Sequence, residues 1–288
     1  MISLIAATIH RVTELDRLLC SLERQSYLDF EVIVVDQNRD DRLAPVLNRH
    51  ASLAIEHLRS ESGLSRARNA GLRVARGDII AIPDDDCWYP EDLLAAVTKW
   101  FESQPGFGLL STALRTAAYL PSGPNSPATG RRCTKSSIWG CGISTTLFMR
   151  RLVSTTVGDF NEDIGIGAAS AYQSGEETDY VLRAFEHGVQ MWFEPSLTVH
   201  HPALDSIERL QRTTYPFALG MGMVLRVHDY PLHEVGSHLI RSFGGAAVRL
   251  CQGDLARARI YVLRGAGQLV GYISGPRNLS HRTTPVGQ

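Results

Sequence analysis

Along the first half of the chain, near-continuous apolar runs alternate with stretches in which apolar residues recur every third or fourth position. Ile2–Ile9 and Phe30–Val35 are runs of the first kind, suited to strands covered on both faces. Between them, Leu15, Leu18, Leu19 and Leu22 line one face of an amphipathic helix. The same reading predicts a helix over Leu43–His50, a short strand at Ile55–Leu58, and a helix over Ser65–Ala75 stopped by Gly77. Ile79–Ile82 is a strand. Pro90 stands at the first position of a helix whose apolar face is Leu93, Leu94, Val97 and Trp100. Phe107–Thr112 is another strand. This βαβαβαβ order predicts an α/β fold with a mostly parallel, right-handed wound sheet.

Regularity then fails. Pro121–Ser137 is rich in Pro, Gly, Ser, Asn and Thr and carries Arg131, Arg132 and Lys135. A loop that long inside a compact domain is usually functional or disordered, so it is a candidate substrate lid. Gly142–Met149 is expected as a strand, Glu176–His187 as a helix and Met191–Val199 as a strand. From about Ser206 to about Ile273 the pattern is helical, with breaks at Pro231 and Gly253.

The tail changes the picture through its charge. Arg209, Arg212, Arg226, Arg241, Arg249, Arg257, Arg259, Arg264, Arg277 and Arg282 face only Asp205, Glu208, Asp229, Glu234 and Asp254. Two readings fit: a basic amphipathic surface for anionic lipid, or a solvated helix face packed on the rest of the protein. The whole chain of 288 residues has a net charge of −1, so no global field argues for nucleic acid. Cys20, Cys87, Cys133, Cys141 and Cys251 are odd in number and scattered with no CxxC pair, the usage of reduced thiols in a cytosolic protein and not of a disulfide frame or zinc site. The N-terminus reads as a first strand, with no basic start or cleavage site. No apolar run approaches roughly 18 residues, so no membrane span is expected.

Chemistry concentrates in two acidic clusters. The strand before Pro83 ends in Asp84, Asp85 and Asp86. Three adjacent carboxylates repel one another and resist desolvation, so they need a compensating charge. A divalent cation with oxygen ligands meets that need, and ligands of open α/β sheets sit beyond the carboxyl ends of strands. The alternative is a polar turn with Asp86 capping the next helix. The second cluster, Glu176, Glu177 and Asp179, opens a helix. Acids there suit the helix dipole, and Ser174 with Glu177 has capping-box spacing. A carboxylate held ionised at a helix start is also a usable general base. His200 and His201 follow the last strand, placed either as structural residues or as ligands for manganese or magnesium.

Taken in order, Thr8-Ile9-His10-Arg11, Val34-Val35-Asp36-Gln37-Asn38, Gly63-Leu64-Ser65-Arg66-Ala67-Arg68-Asn69-Ala70-Gly71, Asp84-Asp85-Asp86, Gly158-Asp159-Phe160-Asn161-Glu162, Gly175-Glu176-Glu177-Thr178-Asp179 and His200-His201 resemble an inverting, nucleotide-sugar-dependent family 2 glycosyltransferase. The likeness covers about residues 1–203 and continues weakly through Tyr215–Gly222. It implies a GT-A type mixed, mostly parallel sheet flanked by helices. The catalytic domain would span 1–203, with a nucleotide-binding half at about 1–112 and an acceptor half at about 113–203. Residues 204–288 would form a helical C-terminal extension.

The resemblance also implies roles. Thr8, Arg11, Asp36, Asn38, Arg68, Asn69, Asp84 and Asp85 match nucleotide-binding positions. Asp86 and Asp84, with His201 or His200, would hold Mn2+ or Mg2+. The general base would be Glu177, with Glu176 and Asp179 as alternatives. Two departures stand out. Glu177 replaces the family's more usual Asp, and one methylene moves a carboxylate by about 1.5 Å. Asp36-Gln37 replaces the usual Asp-Asp or Asp-Asn. The implied donor is a nucleotide-diphospho-sugar (UDP favoured, GDP or dTDP next). The acceptor is a saccharide or lipid-linked saccharide in polysaccharide assembly. The location would be cytoplasmic, or peripheral on the inner face of the membrane through the tail. The competing reading is a non-catalytic, nucleotide-sugar-binding subunit. A nucleotidyltransferase or an NAD dehydrogenase would need a glycine-rich loop after the first strand, and Ala7-Thr8-Ile9-His10-Arg11-Val12 has no glycine.

Overall fold

The computed structural model describes residues 1–116, 129–141, 144–202 and 206–276. Eight strands form one sheet among these residues: β1 (Ile2–Thr8), β2 (Phe30–Asp36), β3 (Ile55–Arg59), β4 (Ile79–Ala81), β5 (Leu109–Thr116), β6 (Arg131–Cys133), β7 (Leu147–Arg150) and β8 (Met191–His201). Their order is β3-β2-β1-β4-β7-β5-β8-β6. β7 and β6 run against the other strands, so the sheet is mixed and mostly parallel, as expected.

The helices are α1 (Val12–Glu23), α2 (Ala44–Arg49), α3 (Leu64–Val74), α4 (Leu93–Ser103), α5 (Arg151–Val157), α6 (Glu176–Glu186), α7 (Ile207–Val227), α8 (Leu232–Cys251) and α9 (Leu255–Ser274). One face of the sheet presents Ile2, Leu4 and Ala6 of β1 with Val32 and Val34 of β2. These residues share a core with Leu15, Leu18, Leu19 and Leu22 of α1 and Leu94, Val97 and Phe101 of α4. Side chains alternate along a strand, so Ile5 points to the other face. There α3 lies so close that a Cβ on Gly71 would stand 2.3 Å from Ile5.

Several boundaries differ from expectation, each for a physical reason. The helix after the aspartates starts at Leu93, not Pro90. The Pro90 carbonyl accepts from Gln25 Nε2, and the Glu91 carbonyl accepts from the Ser26 backbone, which holds that turn out of the helix. The strand expected at Phe107–Thr112 runs instead from Leu109 to Thr116 and pairs with β8 as far as His201. The register jumps between Thr112 and Ala113, leaving Pro195, Ser196 and Leu197 in a bulge. Proline has no N–H for the ladder, so a bulge is where it fits.

The expected strand Gly142–Met149 is described from Ser144 on, as a 3-10 turn followed by β7. The loop Pro121–Ser137 contains β6, an edge strand on β8, at Arg131–Cys133; residues 121–128 lie outside the described residues. α5 was not expected because Val153, Thr155, Thr156 and Val157 are poor helix formers. Hydroxyls of Ser154, Thr155 and Thr156 bond back to carbonyls of the preceding turn, and Val153 and Val157 are buried one turn apart.

Contacts divide the chain into two compact units. The first comprises Met1–Ser62, Arg66–Phe160 and Tyr180–Leu204 and contains the sheet. The second comprises Gly63–Ser65, Asn161–Asp179 and the chain from Asp205 onward. Residues 161–179 belong to the second because their polar groups are satisfied there. Leu64 N–H donates to the Ile166 carbonyl, Gln173 N–H to Pro216, and Ser174 Oγ to Phe217. The tail is helical with breaks after α7 and α8, as the pattern predicted at Pro231 and Gly253.

Within the second unit α7 and α9 meet through glycines. A Cβ on Gly222 would lie 2.1 Å from the Gln268 carbonyl oxygen, and one on Gly271 would lie 2.1 Å from the Leu219 carbonyl oxygen. Backbone cannot yield as a side-chain tip can, so overpacking here separates the helices. Gly271→Ala is expected to destabilise the protein by about 1–3 kcal/mol in denaturant unfolding. Gly236→Ala, inside α8 with open space around the new methyl, is expected to change stability by less than about 1 kcal/mol and in the stabilising direction.

Candidate active site

The parallel strands of the first unit end together. Thr8 pairs in register with Asp36, and Ala7 bridges to Asp84. Thr8, Asp36 and Asp84 therefore share the carboxyl edge of the sheet, where ligands of this architecture sit. The end of β8 joins them through a two-way backbone bridge. Trp88 N–H donates to the His200 carbonyl at 2.9 Å, and His200 N–H returns to Trp88 at 3.0 Å.

The carboxylate run is compensated from several sides. Arg11, the residue preceding α1, places one guanidinium nitrogen 2.8 Å from Asp85 Oδ1 and 2.6 Å from Asp86 Oδ2. Arg17 of α1 donates to the Asp86 carbonyl and lies over the Trp88 ring. Arg68 of α3 is buried and reaches to 3.7 Å from Asp84 Oδ1. His201 Nε2 stands 3.0 Å from Asp86 Oδ1.

The environments of the three acids differ. Burial raises the pKa of Asp85, only partly opposed by Arg11 and a hydrogen bond from Thr8. Burial also acts upward on Asp86, but the hydrogen bond and charge of His201, with Arg11, outweigh it and hold its pKa below the ordinary carboxylate value. Burial acts to lower the pKa of His201, but Asp86 outweighs it and the net shift is upward.

Asp84, Asp86 and His201 offer ligand atoms that all lie within 4.8 Å of one another. Two carboxylate oxygens and an imidazole nitrogen suit a hard divalent cation such as Mn2+ or Mg2+. His201 Nδ1 faces the Pro202 carbonyl at 3.0 Å, so it carries the proton there and leaves Nε2 directed at Asp86. The His200 ring instead stacks on Trp88, centroids 5.5 Å apart, and its pKa is lowered by burial and by Arg115.

The remaining nucleotide candidates are well connected. Asp36 is fully buried. Its Oδ1 accepts from the Asn38 backbone and amide at 2.8 and 2.7 Å, and its Oδ2 lies 3.1 Å from both His57 and Arg59. Asn38 in turn accepts from His10 N–H. A ligand reaches the Asp36 carboxylate only if one of these partners gives way. Asn69 turns its amide on Phe160, donating to its carbonyl and accepting from its N–H.

Sequence reasoning missed His57, Arg59, Arg17 and Trp88. His57 and Arg59 had a signal, since alternate residues of a strand share a face. Arg17 and Trp88 had none, because nothing local marks a contact across the sheet edge.

In the second unit the acids at the start of α6 separate by environment. Asp179 is fully buried, with His228 Nε2 2.9 Å from its Oδ1. Glu176 is buried, its carboxyl close against Gly165. Glu177 is partly exposed.

Residues 3–117 match the glycosyl transferase family 2 model. An uncharacterized glycosyltransferase of Haemophilus influenzae is 27% identical over 212 residues, covering 69% of this chain and 64% of that protein. The chain thus spans just under two thirds of that relative's length. Among solved structures, Staphylococcus aureus TarS 1–349 in complex with UDP superposes with a TM-score of 0.62 at 15% identity, covering 93% of this chain and 90% of that one. The mannosyltransferase PcManGT from Pyrobaculum calidifontis, in complex with GDP-Man and Mn2+, gives 0.62 at 20% identity, covering 94% and 86%. At those identities the structural likeness establishes the fold. Over β1 to β5 the chain is thus similar to the family 2 glycosyltransferases, and the ordered motifs beyond residue 117 extend that likeness.

Proposed function

We propose that the protein transfers a sugar from a nucleotide-diphosphate donor to a saccharide or lipid-linked saccharide acceptor in polysaccharide assembly, with inversion at the anomeric carbon. The observation that carries this reading is the convergence of Asp84, Asp86 and His201 at the carboxyl edge of the sheet. The solved relatives hold UDP, or GDP-Man with Mn2+, which supports a nucleotide-sugar here.

Asp86, Asp84 and His201 would hold Mn2+ or Mg2+. A bound cation supplies charge neutralisation for the departing diphosphate. Arg11 and Arg68 orient carboxylates and phosphate oxygens, as guanidinium groups do in fixed paired geometry. Asp36 and Asn38, held by His57 and Arg59, shape the base pocket. Glu177 takes the proton of the acceptor hydroxyl, which then attacks the anomeric carbon as the carbon–oxygen bond to diphosphate breaks. Its partial exposure favours it over Asp179 and Glu176, whose carboxylates are buried.

Calorimetric titration with UDP and with GDP, each with and without Mn2+, tests the donor site. Metal-dependent binding of one nucleotide is expected, and its loss in Asp86→Ala; metal-independent binding unchanged in that variant overturns the cation role. Glu177→Gln is expected to lower kcat by about 10²–10⁴-fold with donor binding retained. Asp179→Ala is expected to act on stability instead, by about 1–3 kcal/mol, because it takes a buried partner from His228.

The tail supports peripheral membrane contact. Among the described residues no helix is long and apolar enough to cross a membrane. Leu232, Ile240 and Leu250 of α8 and Leu255 and Ile273 of α9 are nevertheless more than half exposed, and Arg241, Arg257, Arg259 and Arg264 are exposed with them. Apolar contact plus cationic rim is the composition of an interfacial surface. Flotation with anionic vesicles at low salt is expected to carry the full chain upward, and neutral vesicles to carry less. No flotation returns these residues to a packing or solvation role.

A further inference from the structure

A second cluster of metal-ligating residues lies in the first unit, on a different part of α1. Asp16, Cys20 and Glu23 fall one turn apart on the same helix face. Opposite them His50, the residue that ends α2, is 4% exposed. Its Nε2 is 2.9 Å from Asp16 Oδ1 and 3.9 Å from Cys20 Sγ. Its Nδ1 is 3.1 Å from Glu23 Oε1, and that oxygen also accepts from Ser52 Oγ at 2.6 Å.

We propose that Asp16, Cys20 and His50 form a zinc site, with Glu23 orienting the histidine. The ligand atoms of the three residues all lie within 4.8 Å of one another. Tetrahedral zinc with ordinary bond lengths sets sulfur–nitrogen and nitrogen–oxygen separations of about 3.6 and 3.3 Å. The present 3.9 and 2.9 Å are a few tenths of an ångström away, within reach of small side-chain rotations.

Glu23 supplies what a bare trio lacks. With a carboxylate 3.1 Å from Nδ1, a small rotation would place the proton there and leave the Nε2 lone pair for the metal, the arrangement that supports metal-bound histidines. Thiolate, imidazole and carboxylate together prefer zinc or cobalt, whereas Asp84, Asp86 and His201 offer no sulfur. Cys20 and Asp16 are partly exposed, which leaves the fourth position to water. On binding, the Cys20 thiol releases its proton to solvent and its sulfur bonds the metal, while Asp16 exchanges its contact with Arg49 for the cation. The bond would tie α1 to the end of α2 and so fix the helix that begins beside Arg11.

Cobalt reports on this directly, because only a thiolate ligand gives a sulfur-to-cobalt charge-transfer band in the near ultraviolet. The metal-free full-length chain is titrated with Co2+. One equivalent is expected to build the band in the native chain, in Asp84→Ala/Asp86→Ala and in Cys133→Ser/Cys141→Ser, and added Zn2+ is expected to abolish it. Cys20→Ser is expected to lose the band, and Glu23→Gln to weaken cobalt affinity about 10- to 100-fold. Circular dichroism checks that each variant is folded. If Cys20→Ser does not fold, the Glu23→Gln affinity and the Cys133→Ser/Cys141→Ser spectrum decide. No thiolate band, a band that survives Cys20→Ser, or one lost in Cys133→Ser/Cys141→Ser overturns the site. His50 would then only link Asp16 of α1 and Glu23 of α1 to the end of α2.

Discussion

Mutual repulsion among Asp84, Asp85 and Asp86 is the constraint around which the sheet edge is arranged. Like charges in adjacent, partly buried positions demand compensation. The chain meets that demand with Arg11 at the foot of α1, Arg68 on α3 and His201 at the end of β8. Each comes from a different element, so the cluster depends on how those elements are registered. The Trp88–His200 bridge and the bulge at Pro195 complete that registration by carrying β8 as far as Asp86.

The compensation is not uniform, and that has chemical meaning. Asp85 is buried on Arg11, a fixed charge that cannot leave. Asp86 shares its oxygens between Arg11 and a titratable histidine. Groups whose environments push their pKa values apart divide roles between support and reaction. The acids of α6 differ in burial. Asp179 is buried against His228 and serves the second unit's interior, while Glu177 keeps access to solvent.

Much of this was legible in the residues. Strong periodicity over α1 and the apolar runs of β1 and β2 marked the α/β core, because burial on a helix face or a sheet leaves a spacing that local sequence must carry. The acidic runs were legible because adjacent like charges need an explanation wherever they fold. Less was legible where a local rule was overridden. The helix expected from Pro90 begins at Leu93 because Gln25 and Ser26 take the carbonyls of that turn. α5 forms from residues of low helix propensity because Val153 and Val157 are buried and hydroxyls back-bond to the helix.

The sequence by itself determined the fold class, the likeness to a family and the two acidic clusters, since all three rest on residue type and spacing along one chain. Tertiary structure alone decided which histidine faces Asp86, which acid of α6 stays accessible, and that His57 and Arg59 hold Asp36. Those outcomes depend on strand register, on the direction each side chain takes at an element's end, and on burial. They are contacts between residues distant in the chain, and no local pattern encodes them.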